Sequence, residues 1–493
     1  MKMDVYDIMY GLNDVSDYLV IETAEKNPQI KEQSIVKWSV VAACVCLVIA
    51  AALYSAFMKG SGYITPSDTV SEDTTDAAET LSPEDEAKMK AFKMFVPTSE
   101  GAFILDDDVV YSNSDISDNF IIINGGRPDG IRGVHWSYLF DYNKGTDPVI
   151  ACYDENCTHD NVTCPALTAG VWLIVSPEGS DDVVAYYERT FSPADIKVDG
   201  YRVSLSRELG TGKDVDMLFE YNLTTGVRRA VTKDFPKSAY PRWYYNGKIY
   251  TNYRIIEHDS EHYMDTGEFI ATYYFPVACV DVKTGEITYL EDEGEQMSLF
   301  FIGIYDGLVY GIDMDGMLVT CSLDLSEHTN VRMIDDDFKF YNHVFGDHYT
   351  IVDNTLYILL NDSEEEFSES FTFYKLDLSD ENSKLEKIAD GIHTVNSYGD
   401  YVYFTPYDLY TKNGVNLVNK GTLYRYNTKT GATDTLLDDD SYEIGLLKFI
   451  DDDRIIFQGI CSQNESSYSL CDYEYVFATG EVRIIYNRGT DGQ

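Results

Sequence analysis

The chain has 493 residues, more than one hydrophobic core usually carries, so its length allows about three ordinary domains or one large repetitive one. Apolar residues make up 44% and aromatics 14%, with 40 Tyr against 4 Trp, which excludes a disordered chain. The formal charge of -47, from 84 acidic and 37 basic residues, excludes nucleic-acid binding as a default and disfavours anionic lipid, leaving a cationic ligand, a divalent ion or a neutral glycan open.

The first 37 residues carry apolar positions at Val5, Ile8, Met9 and Leu12, then at Val15, Tyr18, Leu19 and Ile21, spacings that predict a short amphipathic helix or helix pair. From Trp38 to Met58 the chain reads 21 residues without a charge, bracketed by Lys37 and Lys59. At about 1.5 Å per residue this spans roughly 30 Å, the hydrocarbon thickness of a bilayer, and predicts a transmembrane helix over 38–58. It lies too far along the chain, and is too long, for a cleaved signal peptide, so it reads as a signal anchor. Lys26, Lys31 and Lys37 precede it and Lys59 alone follows before an acidic stretch, which orients residues 1–37 to the cytosol and everything after the span to the outside. Cys44 and Cys46 read as small apolar fillers of that helix. Residues 59–92 are dominated by Ser, Thr, Asp, Glu and Pro and predict an acidic disordered stalk.

Beyond the stalk, a strand, a tight turn and a second strand recur seven times, beginning at Tyr138, Leu218, Val277, Leu318, Phe371, Thr422 and Leu470. Glycine supplies a positive φ in five of these turns. Ahead of each copy sits a second hairpin signal, at Asp107, Asp182, Asn246–Gly247, Asp306–Gly307, Asp353–Asn354, Gly399 and Asp452. Two hairpins make four antiparallel strands. Seven such units predict an all-β, seven-bladed propeller over 93–488, because one sheet cannot bury both its faces until neighbours stack around an axis. The full expectation is a seven-bladed β-propeller ectodomain with one N-terminal transmembrane helix and a short cytosolic helical segment.

The repeat, an aromatic strand followed by Y-x-φ-D/N-x-x-T-G-x-x-x-x-L, resembles the membrane-anchored surface β-propellers of Firmicutes grouped as TolB-like and DUF5050-like. The resemblance covers roughly Phe95 to Asn487 and implies a binding or scaffold module rather than a particular chemistry. The sequence has no Asp-box of the sialidase kind, no WD40 pattern and no tryptophan-docking repeat. Residues Asp4 to Lys26 resemble the cytosolic segments ahead of single spans in clostridial surface proteins, some of them anti-sigma-like.

Within each unit the turns between first and second and between third and fourth strands fall on one face, and the other connections on the opposite face. The long connections are all of the second kind: Ser114 to Trp136, Asn156 to Gly170, Thr190 to Asp214, Arg254 to Phe269, and Pro406 to Lys420. They predict a raised collar whose candidate ligand-binding residues are Arg127, Arg132, His135, Trp136, Arg202, Arg207, Asp259, His262 and Tyr263. The expected partner there is a glycan, a peptide or a protein, with a separate cytosolic partner open to residues 1–37.

Of nine Cys, two fall within the span. Cys152, Cys157 and Cys164 form C-x4-C-x-H-x4-C with His159, which hints at zinc but departs from a zinc knuckle in its first spacing. Outside a membrane the expected state is a disulfide between two of the three, and Cys461 with Cys471 is a second candidate pair. Related clostridial propellers with similar loops imply a structural staple. Asp-Asp-Asp runs at Asp106, Asp335, Asp438 and Asp451 mark strand ends and lack an EF-hand loop, so no calcium is assigned. No catalytic residue, cofactor or metal is assigned: G-x-S-x-G, P-loop and dinucleotide fingerprints are absent from the sequence. The expected function is non-catalytic binding or scaffolding with inward signalling. A carbohydrate-active hydrolase using carboxylates at the axial mouth, and an anti-sigma-like regulator working through residues 1–37, are the alternatives.

Overall fold

The repeated turns are built by one device. Asn222, Asp281 and Asn427 each turn a side-chain oxygen onto two backbone N–H groups: those of Thr224 and Thr225, of Lys283 and Thr284, and of Lys429 and Thr430, at 2.8–3.0 Å. The glycine that follows takes a φ near +70°, at Gly226, Gly285 and Gly431. At Gly285 a Cβ would also lie 2.3 Å from the Val231 carbonyl oxygen of the neighbouring sheet, so packing and backbone both demand glycine. The two-residue turns Asn246–Gly247, Asp306–Gly307 and Asp353–Asn354 have both residues at positive φ, matching the right-handed twist of the strands they join.

The computed structural model describes residues 81–487 apart from internal stretches, the longest being 127–134, 259–270, 335–348 and 361–369. Its described residues are all-β with one helix. Seven antiparallel units follow one another. The first holds Phe120–Gly126, His135–Asp141 and Val149–Ile150. The second holds Trp172–Val175, Val184–Phe191, Val215–Asn222 and Arg228–Thr232. The third holds Trp243–Tyr245, Lys248–Asn252, Val277–Asp281 and Ile287–Tyr289. The fourth runs Phe300–Tyr305, Leu308–Ile312, Met317–Cys321 and His328–Met333. The fifth and sixth share one strand, Glu386–Tyr398, which pairs with Phe371–Asp377 up to Ile392 and with Tyr401–Pro406 from there on. Tyr349–Val352 and Thr355–Leu360 complete the fifth, and Thr422–Asn427 and Thr433–Asp438 the sixth. The seventh holds Leu447–Asp451, Arg454–Asn464, Ser467–Val476 and Glu481–Asn487.

Strand periodicity divides the aromatic residues between two faces, and both faces are buried. In the third sheet Tyr244 packs toward Tyr186 and Leu218 of the second, whereas Trp243 and Tyr245 pack with Phe301 and Val309 of the fourth. Six apolar clusters among the described residues repeat this arrangement, each shared by two consecutive sheets from the first to the seventh. Each sheet from the second to the sixth is therefore a filling between two others.

Two expectations are corrected here. The stalk does not extend to residue 92: Pro83–Phe95 is a helix, α1. Ser82 caps it by accepting from the Asp85 N–H, Pro83 occupies its first turn, and Ala87, Ala91 and Phe95 at i, i+4 and i+8 form a stripe buried in the cluster of the first two sheets. Composition hid this because the buried stripe is only three residues wide. The strand after Asp107 does not open the first sheet either: Tyr111–Ser112 pairs with Trp243–Tyr245 of the third. Among the described residues no helix is long and apolar enough to cross a membrane; the segments 1–37 and 38–58 lie outside the described residues.

Between α1 and Tyr111 the chain passes through the seam between the second and third sheets, held there by a buried ion pair. Glu220 and Arg229 are each 5% exposed and face one another at 2.6 Å. Arg229 also donates to the carbonyls of Thr98 at 2.6 Å and Val282 at 3.0 Å, and Glu220 accepts from the Phe103 N–H at 3.2 Å and the Tyr186 hydroxyl at 3.1 Å. One step further, the Leu105 N–H donates to the Tyr244 hydroxyl at 2.6 Å. Burial, then the Glu220 charge, pushes the Tyr186 phenol well above its ordinary range, so it stays a donor. Arg229→Ala strands the Glu220 carboxylate and is expected to cost about 3–5 kcal/mol by urea unfolding. Glu220→Met with Arg229→Met strands no charge and should cost less. Equal losses from the two variants would contradict this reading.

Candidate functional site

The connection from the first sheet to the second is a loop closed on one residue. The Ala151 N–H donates to the Ser137 carbonyl at 2.9 Å, and the Ser137 N–H donates to the Ala166 carbonyl at 2.8 Å, so both ends of 151–166 are tied to strand His135–Asp141. Inside it the ligand atoms of Cys152, Cys157, His159 and Cys164 all lie within 4.8 Å of one another. His159 has a φ of 54°, its N–H donates to Cys157 Sγ at 3.4 Å, and its Nδ1 stands 3.3 Å from Cys164 Sγ. The Trp136 ring meets the His159 ring edge-on at 5.5 Å. Arg189, on Val184–Phe191 of the second sheet, donates to the Cys164 carbonyl at 3.2 Å. Burial pushes the Cys157 thiol up, and the Cys152 side chain, followed by burial, pushes Cys164 up.

Cys152, Cys157 and Cys164 gather as a group of three with His159 among them, rather than as one isolated pair. In the last sheet Cys471 lies opposite Gly459 and Cys461 opposite Ser469, so the second candidate pair is diagonal rather than directly opposed in the register.

The collar residues divide. Arg127, Arg132, Asp259, His262 and Tyr263 lie outside the described residues. His135 and Trp136 belong to strand His135–Asp141, and the connection that contained them also holds strand Phe120–Gly126, so it is a hairpin rather than a free loop. Arg202 and Arg207 are exposed on and just after a second hairpin, Ile196–Val198 with Tyr201–Val203. Lys90 of α1 pairs with Asp199 at its turn at 2.8 Å. The connections at Arg254 and Pro406 hold hairpins too, Ile255–His258 with Ala271–Tyr274 and Tyr410–Lys412 with Val415–Leu417. All three hairpins sit between the second and third strands of their sheets.

One group went unread in the sequence. At the root of the Ile196–Val203 hairpin, Glu188 and Thr190 on one strand face Leu218 and Asp216 on the next. The Thr190 hydroxyl donates to Asp216 and lies 3.4 Å from Glu188 Oε1. Burial first, then the Asp216 charge, raises Glu188 to about 7, so at neutral pH it holds its proton part of the time beside the Asp216 carboxylate. No local pattern announces this, because it depends on burial and on a strand 28 residues away (216 against 188).

No protein-family model and no curated protein matches the chain. Similar solved structures include an oligogalacturonate lyase from Vibrio parahaemolyticus, with 13% identity, a TM-score of 0.40, and coverage of 76% of this chain and 91% of that one. An oligogalacturonate lyase in complex with manganese has 14% identity and a TM-score of 0.38, covering 72% and 92% respectively. The computationally designed Ika8 protein has 11% identity and a TM-score of 0.33, covering 64% and 87%. These are distant likenesses that fix no activity.

The raised Glu188 has a definite sign. Its folded value lies above the ordinary 4.5, so it contributes fully below about pH 4.5 and that contribution is lost as pH rises through about 7. Glu188→Gln should match the native chain in urea-unfolding free energy near pH 4.5 and exceed it at pH 8, by about 1–3 kcal/mol after allowance for partial exposure. Equal free energies at pH 8 would show that Glu188 ionises without penalty.

Proposed function

We propose that the chain is a seven-bladed β-propeller held at the outer face of a cell membrane by one N-terminal helix, and that it works as a non-catalytic binding or scaffold module for a glycan, peptide or protein. The observation that carries this reading is the position of the insertions. The second, third and sixth sheets each expand the same connection, from second to third strand, into a hairpin. Sheets of equal strand order stacked face to face around an axis would present these hairpins on one rim. Loops that vary on a rigid β scaffold are where such folds place recognition.

The ring itself is supported by the succession of sheets buried on both faces, an arrangement that leaves the first and last sheets each with one partner to find. The membrane address is supported by the 21 uncharged residues from Trp38 to Met58 and the lysine bias around them. The likeness of the repeats to the Firmicutes surface propellers agrees with both. On the proposed rim Arg202 and Arg207 are the exposed anchors, in a chain where basic residues are scarce.

A second reading, a carbohydrate-active hydrolase, draws on Glu188 held partly protonated beside Asp216, a division of roles that acid–base hydrolysis uses. The pair sits on the two middle strands of its sheet rather than on the first strand, which would line an axial mouth. Binding is therefore favoured over turnover.

The full-length chain in detergent, applied to arrays of cell-wall and mucin-type glycans and peptides, tests the choice. The expected result is capture without cleavage, reduced about tenfold or more by Arg202→Ala with Arg207→Ala, since exposed anchors carry about 1.4 kcal/mol or more. Capture unchanged by the double substitution would remove the rim as the binding surface. Release of a cleaved glycan, abolished by Glu188→Gln, would replace binding with hydrolysis.

A further inference from the structure

We infer that Cys152, Cys157, His159 and Cys164 bind one zinc ion that staples the first sheet to the second. Zinc ligated tetrahedrally at about 2.3 Å from sulfur and 2.0 Å from nitrogen sets its ligand atoms about 3.5–3.8 Å apart. Four ligand atoms within 4.8 Å of one another, with Nδ1 of His159 3.3 Å from Cys164 Sγ, reach that shell by shifts of about 1 Å. The C-x4-C-x-H-x4-C spacing does not prevent this, because the shell is set by the loop's closure on Ser137 and not by a two-residue knuckle.

The donor chemistry selects the metal. Three thiolates and an imidazole are soft and borderline ligands, which favour zinc and exclude calcium and magnesium as occupants. Four protein ligands fill a tetrahedron and leave no position for water or substrate, so the ion is structural rather than catalytic. Binding forms three Zn–S bonds and one Zn–N bond and releases the thiol protons to solvent, with no oxidant or reductant required. The resulting site carries a net charge of about -1, and the Arg189 guanidinium on the Cys164 carbonyl supplies a positive charge beside it.

The surroundings match a metal site's supporting shell. The His159 N–H aimed at Cys157 Sγ stabilises a thiolate, and the Trp136 ring fixes the plane of the imidazole. Cys164 belongs to the cluster of the first two sheets, and Cys152 and Cys157 pack against it. The ion would thus tie a long connection directly into the core, at a place where only two short strands, Val149–Ile150 and Trp172–Val175, bracket it.

The test uses the full-length chain, purified in detergent without chelator or reductant. Elemental analysis should find one zinc per chain, and mercurial titration should release it as three thiols react. Cobalt replacing the zinc should give thiolate charge-transfer absorption in the near ultraviolet and tetrahedral ligand-field bands in the visible. His159→Ala and Cys157→Ser should lose these bands or shift them, while Cys461→Ser with Cys471→Ser should leave them intact. Should the ligand variants fail to fold, the metal content and thiol titration of the native chain still decide. Absence of zinc overturns the inference, whether two of the three thiols prove joined in a disulfide or all three react freely with no metal released.

Discussion

An antiparallel sheet that is apolar on both faces cannot stand alone in water, and most of this structure follows from that constraint. Tyr244 turns one way and Trp243 and Tyr245 the other, so the third sheet needs the second on one side and the fourth on the other. The Trp243 and Phe301 rings stack at 3.9 Å and Phe373 meets Phe404 at 5.2 Å, each bridging two sheets. The tyrosine-rich composition is thereby explained: a flat ring fills the gap between sheets, and a hydroxyl at its tip reaches a carbonyl, as Tyr250 does on Leu323 at 2.7 Å.

Where the chain enters the seam between the second and third sheets, the buried charges are matched to it and to each other. Glu220 and Arg229 lie in the seam between the second and third sheets because the chain segment from Thr98 to Leu105 passes through it, exposing backbone groups that need partners. The same segment follows α1, which packs on the strand Arg228–Thr232 and reaches the Arg202-bearing hairpin through Lys90 and Asp199. Arg228 stacks its guanidinium over Phe95 of α1 at 5.0 Å and over Phe219 at 5.5 Å. What precedes the first sheet is therefore fastened to the second and third. In the proposed tethered molecule these two sheets, together with the hairpin of the proposed rim, receive any pull from the membrane.

The parts of the fold that could be read in the sequence are those coded within a few residues. The Asn222, Asp281 and Asn427 turns fix their hairpins locally, and all seven repeated strand pairs are observed where the repeat puts them. What escaped depends on distant partners. Ala87, Ala91 and Phe95 look like part of a polar stalk until the first two sheets are there to cover them. Tyr111 finds Tyr244 rather than its own neighbours. Cys152 and Cys164 are brought together by Ser137, and Glu188 is perturbed by burial and then by Asp216, surroundings that spacing alone does not reveal.

The six clusters bind seven sheets in a row, and the ring requires the seventh to close against the first. Electron–electron distances between labels at Val149 and Ile484, 61% and 52% exposed on strands of the first and last sheets, address this directly. Packed sheets lie about 10 Å apart, so a closed ring predicts a distance within about 30 Å. An open stack of six successive interfaces would place the labels about 60 Å apart. A distribution centred at the longer distance would contradict the propeller and, with it, the common rim.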